Sequence, residues 1–125
     1  MPWFFLRPSS DTRFNYKKWD GHLKIPSRQE IRFDIIILLT SEYPKVFPRA
    51  FADKNIVNYC GGNIYLNNTW EEGDRTFVMI CHDHMKEQAA WDPHLSIAHF
   101  FIREIWYWWN AKQDTIIRLW DKEKI

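Results

Sequence analysis

Apolar and polar positions alternate with period two along the first part of the chain and recur with a period near 3.6 along the last part, so strands are expected first and helices last. The clearest segment is Ile31 to Leu39, which reads IRFDIIILL. Ile31, Phe33, Ile35 and Ile37 fall on one face of a strand, with Arg32 and Asp34 between them. Before it, Trp3 to Leu6 predicts a short strand that Pro8 ends, and Phe14 to Ile25 predicts a second strand with a bend or bulge at Asp20-Gly21. A turn through Pro26-Ser27-Arg28 then leads into the third. Connections this short cannot cross over a sheet, so the arrangement is an antiparallel meander.

After the meander, Tyr43-Pro44 and Phe47-Pro48 hold the chain extended, since each proline fixes φ and removes a backbone donor; Val46 to Phe51 is then expected as an edge strand. Ile64 to Leu66 and Phe77 to Ile80 predict two short strands of a hairpin whose exposed acidic tip is Glu71 to Asp74. Asp92-Pro93 is a good helix start, an acidic N-cap with proline at the first helical position. The helix it opens runs to Lys112 and aligns Ile97, Ala98, Phe101, Ile102, Ile105 and Trp109 in one stripe. Asp114 is expected to cap a second helix reaching about Lys122. The fold class is therefore α+β: one domain over 1–125, with helices on one face of an antiparallel sheet.

Composition narrows the function. Forty-six per cent hydrophobic residues, with only 4 Gly and 6 Pro in 125, exclude a disordered or low-complexity chain. Seventeen Lys and Arg against 16 Asp and Glu leave a net charge of +1, which lacks the basic footprint of a nucleic-acid or anionic-membrane binder. The longest apolar run, Ile35 to Leu39, is far below the ~20 residues of a membrane span. With no signal peptide apparent, a soluble cytoplasmic protein is expected. Two cysteines, Cys60 and Cys81, make no disulfide framework and are expected as thiols. The 8 Trp, 5 Tyr and 9 Phe can fill a small core, but residues 106 to 109 present rings around more than half of a helix, so not all can face the sheet, and Trp106, Trp108 and Trp109 are candidates for a partner surface.

The order of these features resembles the ubiquitin-conjugating-enzyme family. Tyr43-Pro44-Lys45-Val46-Phe47-Pro48 is similar to its YPxxxP element, Ile80-Cys81 to its active-site pair, and Trp91-Asp92-Pro93-His94-Leu95-Ser96-Ile97 to the opening of the helix after the nucleophile. The chain departs from the family in three ways. It lacks the usual N-terminal helix and the His-Pro-Asn triplet before the cysteine, and Gly61-Gly62 stands nineteen residues before Cys81. The Trp-rich end is similar to compact prokaryotic relatives, including those of antiphage operons that encode a nucleotide second-messenger synthase. Ubiquitin-fold-modifier conjugating enzymes are a further similar branch, with an Ala-His in the helix as at Ala98-His99.

That resemblance implies that Cys81 carries the C-terminus of a ubiquitin-like modifier, or of a partner synthase, as a thioester and passes it to an amine of a target protein. An activating enzyme would supply the ATP chemistry, and no cofactor is expected, since the chain has no phosphate-binding loop. A thiolate is the attacking species, and His82, His84 or Lys86 could favour it. Asp83 and Asp74 are candidates to orient or deprotonate the amine, and Asn67 and Asn68 are the nearest upstream asparagines to stabilise an oxyanion. Two alternatives stand beside this reading. One is a non-catalytic interaction module of the same or an RWD-like fold. The other is a metal-dependent hydrolase using Cys81, His82 and His84, which would have to hold stoichiometric zinc; the resemblance implies none, and His94 and His99, five apart on a helix, do not share a face well as further ligands of a tetrahedral site, so no metal is assigned.

Overall fold

The computed structural model describes residues 3–9, 17–39, 45, 48–60, 64–80 and 105–123. Its central strand is the segment with the strongest alternation, β3 (Arg28–Leu38). Ile31, Phe33, Ile35 and Ile37 are all buried on one face of it, as their spacing predicts, and Ile36 is buried on the other. Strand β2 (Lys18–Ile25) precedes it, joined through the turn at Pro26-Ser27, and β1 (Phe4–Pro8) pairs with β2 on the outer side. Pro8 ends that strand at the margin of the sheet, where a missing N–H is tolerated. Strand β4 (Arg49–Asp53) pairs with β3, and a hairpin of β5 (Ile64–Glu72) and β6 (Arg75–Ile80) completes six antiparallel strands in the order β1-β2-β3-β4-β6-β5.

Three expectations are corrected here. Asp20 and Gly21 are not a bend: both lie in an unbroken ladder, and the irregularity falls at Lys24/Ile25. Gly21 is required for a different reason, since a Cβ there would sit 1.9 Å from the Phe5 carbonyl oxygen of the neighbouring strand. Strand β4 is not at an edge. It lies between β3 and β6, because Pro48 precedes its first residue and leaves every N–H of the strand available. Phe14, Val46, Phe47 and residues 93–104 of the helix expected from Pro93 to Lys112 lie outside the described residues.

The third correction concerns the C-terminus. A helical turn α1 (Val57–Cys60) follows a 3-10 turn at Lys54–Ile56, and one helix, α2 (Trp106–Glu123), runs through the position at which a new helix was expected to start. Asp114 is exposed in mid-helix and caps nothing. The apolar stripe explains this: Ile105, Trp108 and Trp109 lie before 114 and Ile116, Leu119 and Trp120 after it, and the seven-residue step from Trp109 to Ile116 is two helical turns, which keeps both groups on one buried face.

That stripe closes the principal core against the Leu23, Phe33, Ile35, Ile37, Ala52 and Val78 side of the sheet. Trp109 is wholly buried, and its indole N–H donates to the Lys24 carbonyl at 3.1 Å, beside the irregularity in β2. Phe33 meets the Trp109 ring edge-on at 6.2 Å, and Tyr59 of α1 stacks at a tilt on Trp120 at 5.2 Å. Polar ties fasten the end of α2: Arg28 grips the Asp121 carboxylate with two N–H groups, at 2.9 and 2.6 Å, and the Tyr59 hydroxyl donates to Glu123. The same hydrogen bond, with burial, raises the Tyr59 pKa.

Candidate functional site

Two regions bear on function, one at each end of β6. At its C-terminal end the strand is buried from Phe77 through Ile80, the residue directly before Cys81. Cys81, His82, Asp83 and His84 themselves lie outside the described residues. Asn67 and Asn68 are in β5, at an irregularity between Tyr65, which pairs with Met79, and Thr69, which pairs with Val78. The hairpin thus returns these two asparagine positions to the flank of β6, close to its thiol-bearing end; the separation in sequence does not separate them in the sheet. Asp74 is elsewhere. It sits in the tip turn before Arg75, at the opposite end of β6, about 20 Å of extended strand from residue 80.

The tryptophans are also corrected. Trp108 is 3% exposed and Trp109 is 0% exposed, while Trp106 is half-buried against Trp3 at 4.9 Å, so the first two fill the core and offer no partner surface. The exposed ring on that turn is Tyr107, at 67%. The helical period decides this: 105, 108, 109 and 116 share a face, and 107 points away from it.

At the other end of β6 lies a site that the sequence reading did not single out. The side of the sheet away from α2 has a small apolar floor of Ile36, Phe51, Phe77 and Met79, with Trp70 and Leu38 against it. Around that floor stand charged groups. Arg75 donates to Asp34 at 3.0 Å and to Asp53 at 2.5 Å, with its guanidinium 4.8 Å above the Phe77 ring. Lys18 is buried on this side at 2% exposure, 2.5 Å from Glu72 and 3.6 Å from Asp20. Strands β2 and β5 are four strand steps apart, about 19 Å in a flat sheet. The Lys18–Glu72 contact therefore requires the sheet to roll inward on this face.

The roll borders a half-open cavity of about 300 Å³ lined by Phe5, Arg7, Asp20, His22, Asp34, Glu72, Arg75 and Phe77, among others. Burial lowers the His22 pKa, reinforced by Arg32 and Lys24 and opposed by Asp34, so the ring is neutral at neutral pH where it stacks on Phe5 at 5.6 Å. Burial opposes ionisation of Glu72, yet hydrogen bonds from Lys18 and the Trp70 indole outweigh it and hold the carboxyl below its ordinary range. The Asp53 hydrogen bond raises the Arg75 pKa. The signal for this site in the sequence was the charged residues alternating with the core positions of β2, β3 and β6. What hid it was that their convergence depends on the roll.

Among the described residues no three His, Cys, Asp or Glu side chains gather as a metal site, and no helix is long and apolar enough to cross a membrane. No protein-family model matches the chain, and no curated protein or solved structure matches it.

Proposed function

We propose that Cys81 accepts the C-terminal acyl group of a protein as a thioester and transfers it to an amine, in the manner of the ubiquitin-conjugating enzymes that the sequence resembles. The observation that carries this reading is the placement of β6: a strand anchored in the sheet by Phe77 to Ile80 ends at the residue before the thiol. A nucleophile following a buried strand is fixed at its attachment point. The meander from β2 through β4, with the YPxxxP segment between β3 and β4, suits the same reading.

The chemistry is an exchange of acyl partners. The Cys81 thiolate attacks the activated carbonyl carbon, a C–S bond forms, and the activating group leaves. An amine then attacks the same carbon, the C–S bond breaks, the amine gives up a proton, and the thiolate is regenerated. Asn67 and Asn68 are the candidate donors to the oxyanion in both steps, and the passenger is a ubiquitin-like modifier or the C-terminus of a partner synthase.

The test uses a ubiquitin-like protein ending in a 2-mercaptoethanesulfonate thioester, followed by free lysine. Wild type should gain the mass of the acyl group, lose it on addition of dithiothreitol, and discharge it to lysine. Cys60→Ser should behave like wild type. A Cys81→Ser variant that still forms the thiol-sensitive adduct, or a wild type that forms none, overturns the assignment.

A further inference from the structure

The hairpin of β5 and β6 is longer than the sheet that supports it. The last β4–β6 pair is Asp53–Phe77, and Glu71 to Thr76 continue beyond it paired only to each other, through Glu71–Thr76 and Glu72–Arg75. Gly73, at φ 63°, makes the two-residue turn at the tip, the type whose twist matches a hairpin. A two-stranded ribbon has little stability of its own. What holds this one against the rolled face is a set of ion pairs, Lys18 to Glu72 and Arg75 to Asp34 and Asp53, while Trp70 sets its root in the small apolar floor. Glu72 and Arg75 also form one wall of the cavity, opposite Phe5, Arg7 and His22 of the first two strands. Behind the root, the ladder of β5 is interrupted between Tyr65 and Thr69, which gives the ribbon a place to bend.

We propose that residues 71–76 are a flap that opens and closes the cavity, with the Lys18–Glu72 pair as its latch and the Trp70/Phe77 pair as its hinge. The inference does not rest on the thioester reading. It follows from a ribbon that continues beyond its sheet, forms one wall of a half-open cavity, and is fastened there through charge.

Amide hydrogen exchange on the full chain tests it. Glu72→Gln should speed exchange at 71–76 by about tenfold or more while leaving β3 and β4 unchanged, which is the pattern of a local opening. The charge-reversed pair, Lys18→Glu with Glu72→Lys, should return exchange at the flap toward the wild-type rate. In the wild-type protein, salt at about 1 M should produce the same local acceleration, because the Debye length falls to about 3 Å; this arm needs no variant to fold. Unchanged exchange at 71–76 in both Glu72→Gln and high salt overturns the proposal. So does an equal acceleration in β3, which would make the contact part of the global fold.

Discussion

The two faces of one sheet are held by different forces. Against α2, isoleucines and large rings close over one another, with the buried Trp109 indole bonded to the Lys24 carbonyl and the ionic tie of Arg28 to Asp121 at the rim. On the opposite face a floor of four buried apolar side chains is ringed by lysine, arginine and carboxylates that join strands far apart in the sheet order. Burial of apolar area is insensitive to charge screening and to protons, whereas ion pairs respond to both. The comparison teaches that the helix side should set global stability and that the rolled side should set local motion.

The largest effect should come from the helix side. Trp109→Ala removes a wholly buried ring and its hydrogen bond to the Lys24 carbonyl, and should cost about 3–5 kcal/mol in denaturant unfolding with no dependence on salt. A loss that varies steeply with ionic strength would erase the contrast between the faces. Next is Gly21→Ala, where the new methyl meets the Phe5 carbonyl and must push β1 from β2, at about 2–3 kcal/mol. Its amide exchange should rise first in β1.

On the rolled face, Lys18→Met should cost about 1 kcal/mol, since it removes a charged hydrogen bond whose acceptor is more than one third exposed and keeps its bond from the Trp70 indole. The pH dependence sharpens this. Glu72 has a folded pKa below its ordinary 4.5, so its contribution is present above that value and is lost as pH falls through the lower folded value. The stability difference between wild type and Glu72→Gln should therefore be flat from neutrality to about pH 5 and shrink in more acidic solution. A difference that instead grows on acidification would assign Glu72 the opposite role. The smallest effect is Tyr107→Ser, within about 0.5 kcal/mol, because that ring faces solvent. A larger loss would mean that the surface of α2 contributes to the fold as its buried stripe does.

Local patterning carried much of the fold. The alternation in Ile31 to Leu38, the strand before Pro8 and the turn at Pro26-Ser27 were legible because each is written within a few residues. The tip turn was legible as well, though the strands flanking it are longer than their apolar cores suggest, since Glu71, Glu72 and Arg75 pair through backbone groups that no side-chain pattern reports. The break expected at Asp114 failed because a capping residue acts only where the stripe on either side stops, and here it does not. At the candidate site, the buried strand from Phe77 to Ile80 was readable, whereas the placement of Asp74 in the tip turn away from residue 80 and the return of Asn67 and Asn68 to the flank of β6 were not. Those follow from which way the hairpin runs.

The sequence by itself determined where the main strands lie and which side of β3 faces the main core. Only the tertiary structure decided that β4 is interior, that Trp108 and Trp109 are core, and that Lys18 meets Glu72. The physical reason is range: propensity, alternation and turn chemistry act over a few residues, while strand order and sheet curvature are set by long-range pairing and twist that no local window contains.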